Sequence, residues 1–257
     1  MKRINWLLGL WTALVMAFFY LPIAILIGFS FNTSRLNILW EGFTLEWYAN
    51  ILRDRVLVDT LQNSLIVAVF STVLAVILGT GGAWLLFRYR FPGVRLWQTL
   101  IFIPMIIPEV IMGVSLLILF VVINLELGYA TIIISHVTFC FPFVMVAVQA
   151  RLAGLDPALE EAAMDLGATP VGAFRKVLVP YLMPAIVSGA LMSFTLSLDE
   201  LIVTYFTASA GTRTLPLEIF GRVKKGLDPT LNAISTVFIL STVVLVIATE
   251  ILKRRSR

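Results

Sequence analysis

Three carboxylates, Glu109, Asp199 and Glu200, stand in stretches that are otherwise apolar. A charge within hydrocarbon is costly, so each is a candidate for function rather than solvation. No Lys or Arg falls within the cores of the same stretches. A pathway lined by unpaired carboxylates is a poor host for an anion and a natural one for a cation. Around the second pair, Ser193, Ser197, Glu200, Thr204 and Thr207 recur at intervals of three or four, which places them on one face of a continuous helix. Asp199 then lies about 100° round from Glu200. Structural readings stand beside these. Glu109 follows Pro104 and Pro108, where an acidic first turn favours the helix dipole. One of Asp199 and Glu200 can equally serve as a partner for Ser or Thr on another segment.

Other reactive side chains are sparse. The single cysteine, Cys140, excludes an intrachain disulfide, and with the single histidine, His136, it excludes a multi-Cys or multi-His metal site. His136 and Cys140 are one turn apart, and packing or interhelical hydrogen bonding is their default role. Ser135 and His136 are adjacent, so on a helix they diverge by about 100°, poor geometry for a nucleophile and its base. A phosphate loop needs glycines followed by Lys and Ser/Thr, whereas Gly79-Thr80-Gly81-Gly82 runs into Ala83 and Trp84. Small residues of that kind usually serve close helix packing. The sequence leads us to expect neither an enzyme nor a nucleotide site in this chain.

The elements that must hold these groups follow from composition. Of 257 residues, 60% are hydrophobic and 13% charged, and the net charge is +4. Soluble domains average about 45–50% apolar and 25% charged residues. The surplus is gathered into runs 6–31, 61–87, 97–123, 129–150, 184–207 and 231–252. Each has about the 20 residues a helix needs to cross a bilayer, and backbone amides in lipid must pair within their own segment. The expected class is therefore all-α integral membrane, about six transmembrane helices forming a single domain over 1–257. In a straight third helix Glu109 would lie about 18 Å from the start. Pro142 is expected to kink the fourth. The first run is too long for a signal h-region and reads as an uncleaved anchor.

Orientation follows the Lys/Arg bias. With the N-terminus inside, Lys2, Arg3, Arg88, Arg90, Arg95, Arg151, Arg175, Lys176, Lys253, Arg254, Arg255 and Arg257 are cytoplasmic. Arg35, Arg53, Arg55, Arg213, Arg222, Lys224 and Lys225 are outside, the last loop also holding Glu218 and Asp228. Both termini are expected in the cytoplasm. The outer loop 32–60 carries Trp40, Trp47 and Tyr48, either as interfacial anchors or facing a substrate or partner.

The inner segment 151–183 is too well specified to be a tether. Asp156 is a good N-cap, Pro157 suits the first helical position, and Glu160 and Glu161 favour the first turn. Leu159, Ala163 and Leu166 form an apolar stripe, and Gly167 suits the left-handed residue that ends a helix. The pattern then repeats: Thr169 caps, Pro170 starts, Phe174, Val177 and Leu178 form an apolar face, and Pro180 is expected to stop the helix. A hairpin of two short amphipathic helices suits docking into a partner's groove, or lying flat on the membrane.

Here the residues carry a resemblance. Glu161-Ala162-Ala163, then Gly167, then Val177-x-Val179-Pro180 resembles the EAA loop of bacterial ABC importer permeases, with Val where that family has Ile and Leu. The resemblance implies the type I importer fold and a cytoplasmic coupling helix seated in a separate ATPase. On it Glu161, Ala162, Ala163, Gly167 and Pro180 would serve ATPase coupling. It further implies a homologous permease partner in a heterodimer, an ATPase dimer that binds ATP and Mg, an external binding protein and the bacterial inner membrane. Cofactors in this chain, and nucleic acid, are not implied.

The resemblance narrows at Ser193-Phe194-Thr195-Leu196-Ser197-Leu198-Asp199-Glu200, which is similar to the Ser-Phe-Thr-Leu-Ser-x-Asp-Asp stretch of spermidine/putrescine permeases. Leu215-Pro216-Leu217, Asn232-Ala233, His136-Val137-Thr138-Phe139-Cys140 and Trp40-x-Gly42-Phe43-x-x-x-Trp47-Tyr48 resemble the second permease subunit of that system. Glu200 and Glu109 stand where those proteins have Asp. Trp47, Glu109, Ser197, Asp199 and Glu200 become the implied translocation path. Related permeases carry ferric iron, thiamine, opines or aminophosphonates. An ion-coupled secondary transporter, the alternative from another class, would show an internal repeat and have no use for the capped hairpin.

Overall fold

A computed structural model describes residues 2–34, 39–89, 92–156, 158–226 and 229–255. Pro157, and Arg35, Arg90, Asp228 and Arg257 of the charge argument, lie outside the described residues. The described chain is helical: α1 (Lys2–Phe29), α2 (Glu46–Arg53), α3 (Arg55–Arg88), α4 (Val94–Phe102), α5 (Glu109–Val122), α6 (Tyr129–Leu152), α7 (Ala158–Asp165), α8 (Pro170–Ala173), α9 (Val179–Asp199), α10 (Ile202–Thr207), α11 (Leu215–Lys225) and α12 (Pro229–Arg255). Among the described residues, four helices are long and apolar enough to cross a membrane. A fifth is added if α4 and α5 count as one bent span, and 229–244 is a shorter apolar helix.

The chain divides into two compact units. The first comprises 1–59 and 218–244. There Trp47 is buried and its indole N–H donates to the Asn32 carbonyl at 2.7 Å, while Phe31 stacks on Phe43 and Tyr48. The indole is thus held by the loop's own backbone. Arg222 of α11 bridges Asp54 at 2.7 Å and Glu218 at 2.9 Å, and the guanidinium hydrogen bond holds the Asp54 carboxyl below its ordinary value.

The second unit, 60–217 with 245–257, holds the buried apolar cluster that joins α3, α5, α6, α9 and α10 through Ala75, Met112, Val144, Met145, Leu182 and Val203. Close approach of α3 to α6 depends on Gly79: a Cβ there would sit 2.8 Å from both the Phe141 carbonyl oxygen and the Val144 Cβ. Gly81, two residues on, meets nothing within 4 Å. The small-residue cluster therefore serves packing through one of its faces.

Three segments depart from the expected straight spans. The third is broken: α4 passes through a 3-10 turn, Ile103–Met105, and α5 sets off at 106°. Pro104 and Pro108 explain this, since each lacks an amide hydrogen and crowds the preceding turn. Glu109 is accordingly the first residue of α5, and the 18 Å depth that assumed a straight helix does not apply. The fifth is also broken, with Glu200 extended (ψ 115°) between α9 and α10. The expected stop at Pro180 is absent. α8, a π-helical turn (Phe174–Leu178) and α9 form one 30-residue helix, Pro170–Asp199. A π turn's wider spacing accommodates the ring and missing donor of Pro180 without ending the helix.

Candidate functional site

The two helix breaks meet at one place. A cavity of about 320 Å³ is lined by Glu109, Phe139, Thr195, Leu196, Asp199, Glu200, Leu201 and Ile202. Its volume is within the usual range for a small-molecule site. Glu109 enters from the start of α5, Asp199 from the last position of α9, and Glu200 from the gap that follows. Three carboxylates thus share a cavity whose lining contains no Lys or Arg. Acidic side chains gathered in one cavity without a basic partner attract a cation and disfavour an anion.

The three are not equivalent. Asp199 is exposed, Glu109 half-buried and Glu200 buried. Glu200 Oε1 accepts the Val203 amide at 2.8 Å, capping α10, so this carboxylate has both a structural and a cavity-facing role. The structure brings together Glu109, Asp199 and Glu200 of the sequence-derived path. Ser197 does not line the cavity; its hydroxyl lies 2.7 Å from His136 Nδ1. Trp47 belongs to the other unit and is committed to Asn32.

The break at Glu200 has no proline or glycine to cause it. It is held from α6, whose side chains splint both sides. Cys140 Sγ contacts the Ser193 carbonyl at 3.6 Å, and Thr131 Oγ1 donates to the Thr207 carbonyl at 2.7 Å. Between them His136, fully buried, reaches Ser197 through Nδ1 and Thr204 through Nε2 at 2.8 Å. The Thr204 hydroxyl donates to the Glu200 carbonyl at 3.1 Å, so its oxygen must accept from Nε2–H. In the neutral tautomer of that kind Nδ1 accepts from Ser197. The sequence points to packing or interhelical hydrogen bonding for His136, and the structure shows the latter; its position across the break has no local signature.

At the hairpin, Asp156 Oδ1 accepts the Ala158 amide at 3.0 Å, and Thr169 Oγ1 accepts the Gly172 amide at 3.1 Å. Gly167 has φ +87° and lies in a Schellman turn, with its own amide on the Met164 carbonyl and that of Ala168 on Ala163. Glu161, Ala162, Gly167 and Pro180 are exposed and Ala163 is half-buried. Leu159 and Leu166 are 48% and 90% exposed, so the two leucines of the apolar stripe are uncovered in this chain. The buried side chain of α7 is Glu160, paired with Arg88 at 3.2 Å, a partner sequence reasoning missed.

A helical membrane protein with broken spans around a polar cavity and a capped hairpin between two of its spans has the form of a transporter subunit. The chain belongs to the family of binding-protein-dependent transport system inner membrane components, whose profile matches residues 71–257. It is 42% identical over 246 residues, 96% of this chain and 93% of the relative, to the spermidine/putrescine transport system permease protein PotC of Escherichia coli strain K12. It is also 42% identical over 229 residues, 86% of this chain and 82% of the relative, to the putrescine transport system permease protein PotI of the same strain. The fold is shared with a chain of a bacterial ABC transporter involved in import of the acidic polysaccharide alginate, at TM-score 0.72 and 17% identity over 99% of this chain and 98% of that one.

Proposed function

We propose that this chain is one permease subunit of an ATP-driven importer that carries polyamines, spermidine- or putrescine-like cations, across the bacterial inner membrane. The observation that carries the cargo is the cavity in which Glu109, Asp199 and Glu200 converge without a Lys or Arg. An extended polycation places ammonium groups against several carboxylates at once and its methylene segments against Phe139 and Leu196. Relatives named for polyamine transport support the same cargo.

In this reading a homologous permease completes the pathway, and a binding protein delivers the cation from outside. An ATPase dimer holding ATP and Mg receives the hairpin, and both termini are cytoplasmic. The uncovered Leu159 of α7 and Leu166 just past its end, with Ala162 on the same side of the helix, supply the docking face, and Glu161 is exposed on the flank. Gly167 and the Thr169 cap fix the angle of the two limbs. The helix Pro170–Asp199 then links hairpin to cavity directly: 30 residues at 1.5 Å span about 45 Å. Movement of the docked hairpin reaches Asp199 along one rod, and the cavity changes the side to which it opens.

Reconstitution in proteoliposomes with the partner permease, ATPase and binding protein tests this. ATP-dependent uptake of labelled spermidine or putrescine is expected. Uptake of ferric iron or thiamine in place of either amine would refute the cargo, and gradient-driven uptake by this chain alone would refute the class.

A further inference from the structure

The hairpin is tied to the membrane domain at a second point, away from α9. Of the α7 side chains, Glu160 is the most deeply buried, 3% exposed. Its neighbour Glu161 is exposed, so favouring the helix dipole does not require burial of an acid in this turn. What meets Glu160 is Arg88, the last residue of α3, with Nε 3.2 Å from Oε1 in an ion pair rather than an aligned hydrogen bond. Arg88 Nη2 also lies 3.7 Å from the sulfur of Met164, one turn further along α7. One turn earlier on α3, Trp84 packs on Phe174 of the π turn, with ring centroids 4.4 Å apart and planes 31° apart. Positions 84 and 88 share one face of α3. That face therefore holds both limbs of the hairpin, α7 through charge and the π turn through an aromatic stack.

We propose that Arg88 and Glu160, supported by Trp84 and Phe174, form a clamp through which the docked hairpin moves α3 together with α9. The proposal rests on the reading of the hairpin as the ATPase-docking segment. A rod attached through α9 alone leaves α3 uninformed of the nucleotide state; an ion pair at the end of α3, with its carboxylate buried and its guanidinium partly exposed, carries the displacement to a second span. Arg88 and Glu160 are positioning residues here, touching neither cargo nor nucleotide. The pair also explains why an acid stands where burial is costly: with Arg88 present the charge is matched, and removal of Arg88 strands the buried carboxylate of Glu160.

Charge exchange in the full reconstituted complex separates this clamp from simple packing. Arg88→Glu and Glu160→Arg are each expected to cut labelled spermidine uptake about tenfold, with ATP hydrolysis continuing and the ATPase still co-purifying. The doubly exchanged chain, Arg88→Glu with Glu160→Arg, is expected to recover to within about threefold of wild type. Undiminished uptake in the single variants, or a double variant no better than the worse single, overturns the clamp. Where a single variant fails to assemble, recovery of co-purification in the double variant supports the clamp and its absence overturns it. Leu166→Arg, on the uncovered face, reports on the docking reading separately: unaltered ATPase co-purification with that variant sinks the docking reading, whichever way the charge exchange falls.

Discussion

Replacement of His136 by Leu removes the splint at the Glu200 break while nearly conserving volume. The imidazole is fully buried and makes two hydrogen bonds, at 2.7 Å to Ser197 and 2.8 Å to Thr204. Interhelical bonds in membranes average about 0.6 kcal/mol each, and buried bonds in general reach about 1.5 kcal/mol. Two of them set the expected loss at about 1–3 kcal/mol. His136→Gln keeps an amide N–H where Nε2 donates to Thr204, and His136→Asn keeps an oxygen where Nδ1 accepts from Ser197. Each polar variant should therefore lose about half as much as Leu. Reversible unfolding of the purified chain in mixed detergent and SDS micelles measures these differences. Should Gln and Asn prove no better than Leu, or Leu cost nothing, the hydrogen-bonded splint is wrong and the break has another cause.

Gly79→Ala places a methyl 2.8 Å from the Phe141 carbonyl and Val144 Cβ and should destabilise the chain by about 1–3 kcal/mol in the same assay, whereas Gly81→Ala should lie within about 0.5 kcal/mol of wild type. Asp54 is held below its ordinary 3.8 by the hydrogen bond from Arg222, so its stabilising contribution is complete above that value and is lost as pH falls through the depressed one. A melting profile against pH should accordingly show a shallower acid limb in Asp54→Asn than in wild type, and superimposable limbs would contradict the pairing.

How much of this is legible in sequence differs by element, for physical reasons. Long apolar runs declare themselves because lipid forces backbone pairing within each segment. Caps are equally local: Asp156, Thr169 and Gly167 do in three dimensions what their side chains and backbone permit at those positions. Prolines are visible but ambiguous. Pro104 and Pro108 break the third span, while Pro180 is absorbed by a π turn, and which outcome holds depends on what packs alongside. The break at Glu200 has no residue that signals it. It arises from Thr131, His136 and Cys140 on α6, more than fifty residues away in the chain. The pairing of Arg88 with Glu160 is non-local in the same way. The acidic cavity was half legible: its three carboxylates stood out by charge, but the assignment of Ser197 to the same face assumed a continuous helix.

The amide triple variant, Glu109→Gln with Asp199→Asn and Glu200→Gln, puts the acidic cavity to trial with little change of shape. Gln at 200 retains an oxygen for the Val203 amide, so the α10 cap survives. Each contact between an ammonium group and a carboxylate is worth about 1.5 kcal/mol or more, roughly tenfold in rate. ATP-dependent spermidine uptake by the reconstituted complex should therefore fall at least about a hundredfold, with assembly and unfolding unchanged. Uptake within about twofold of wild type would contradict the cation path.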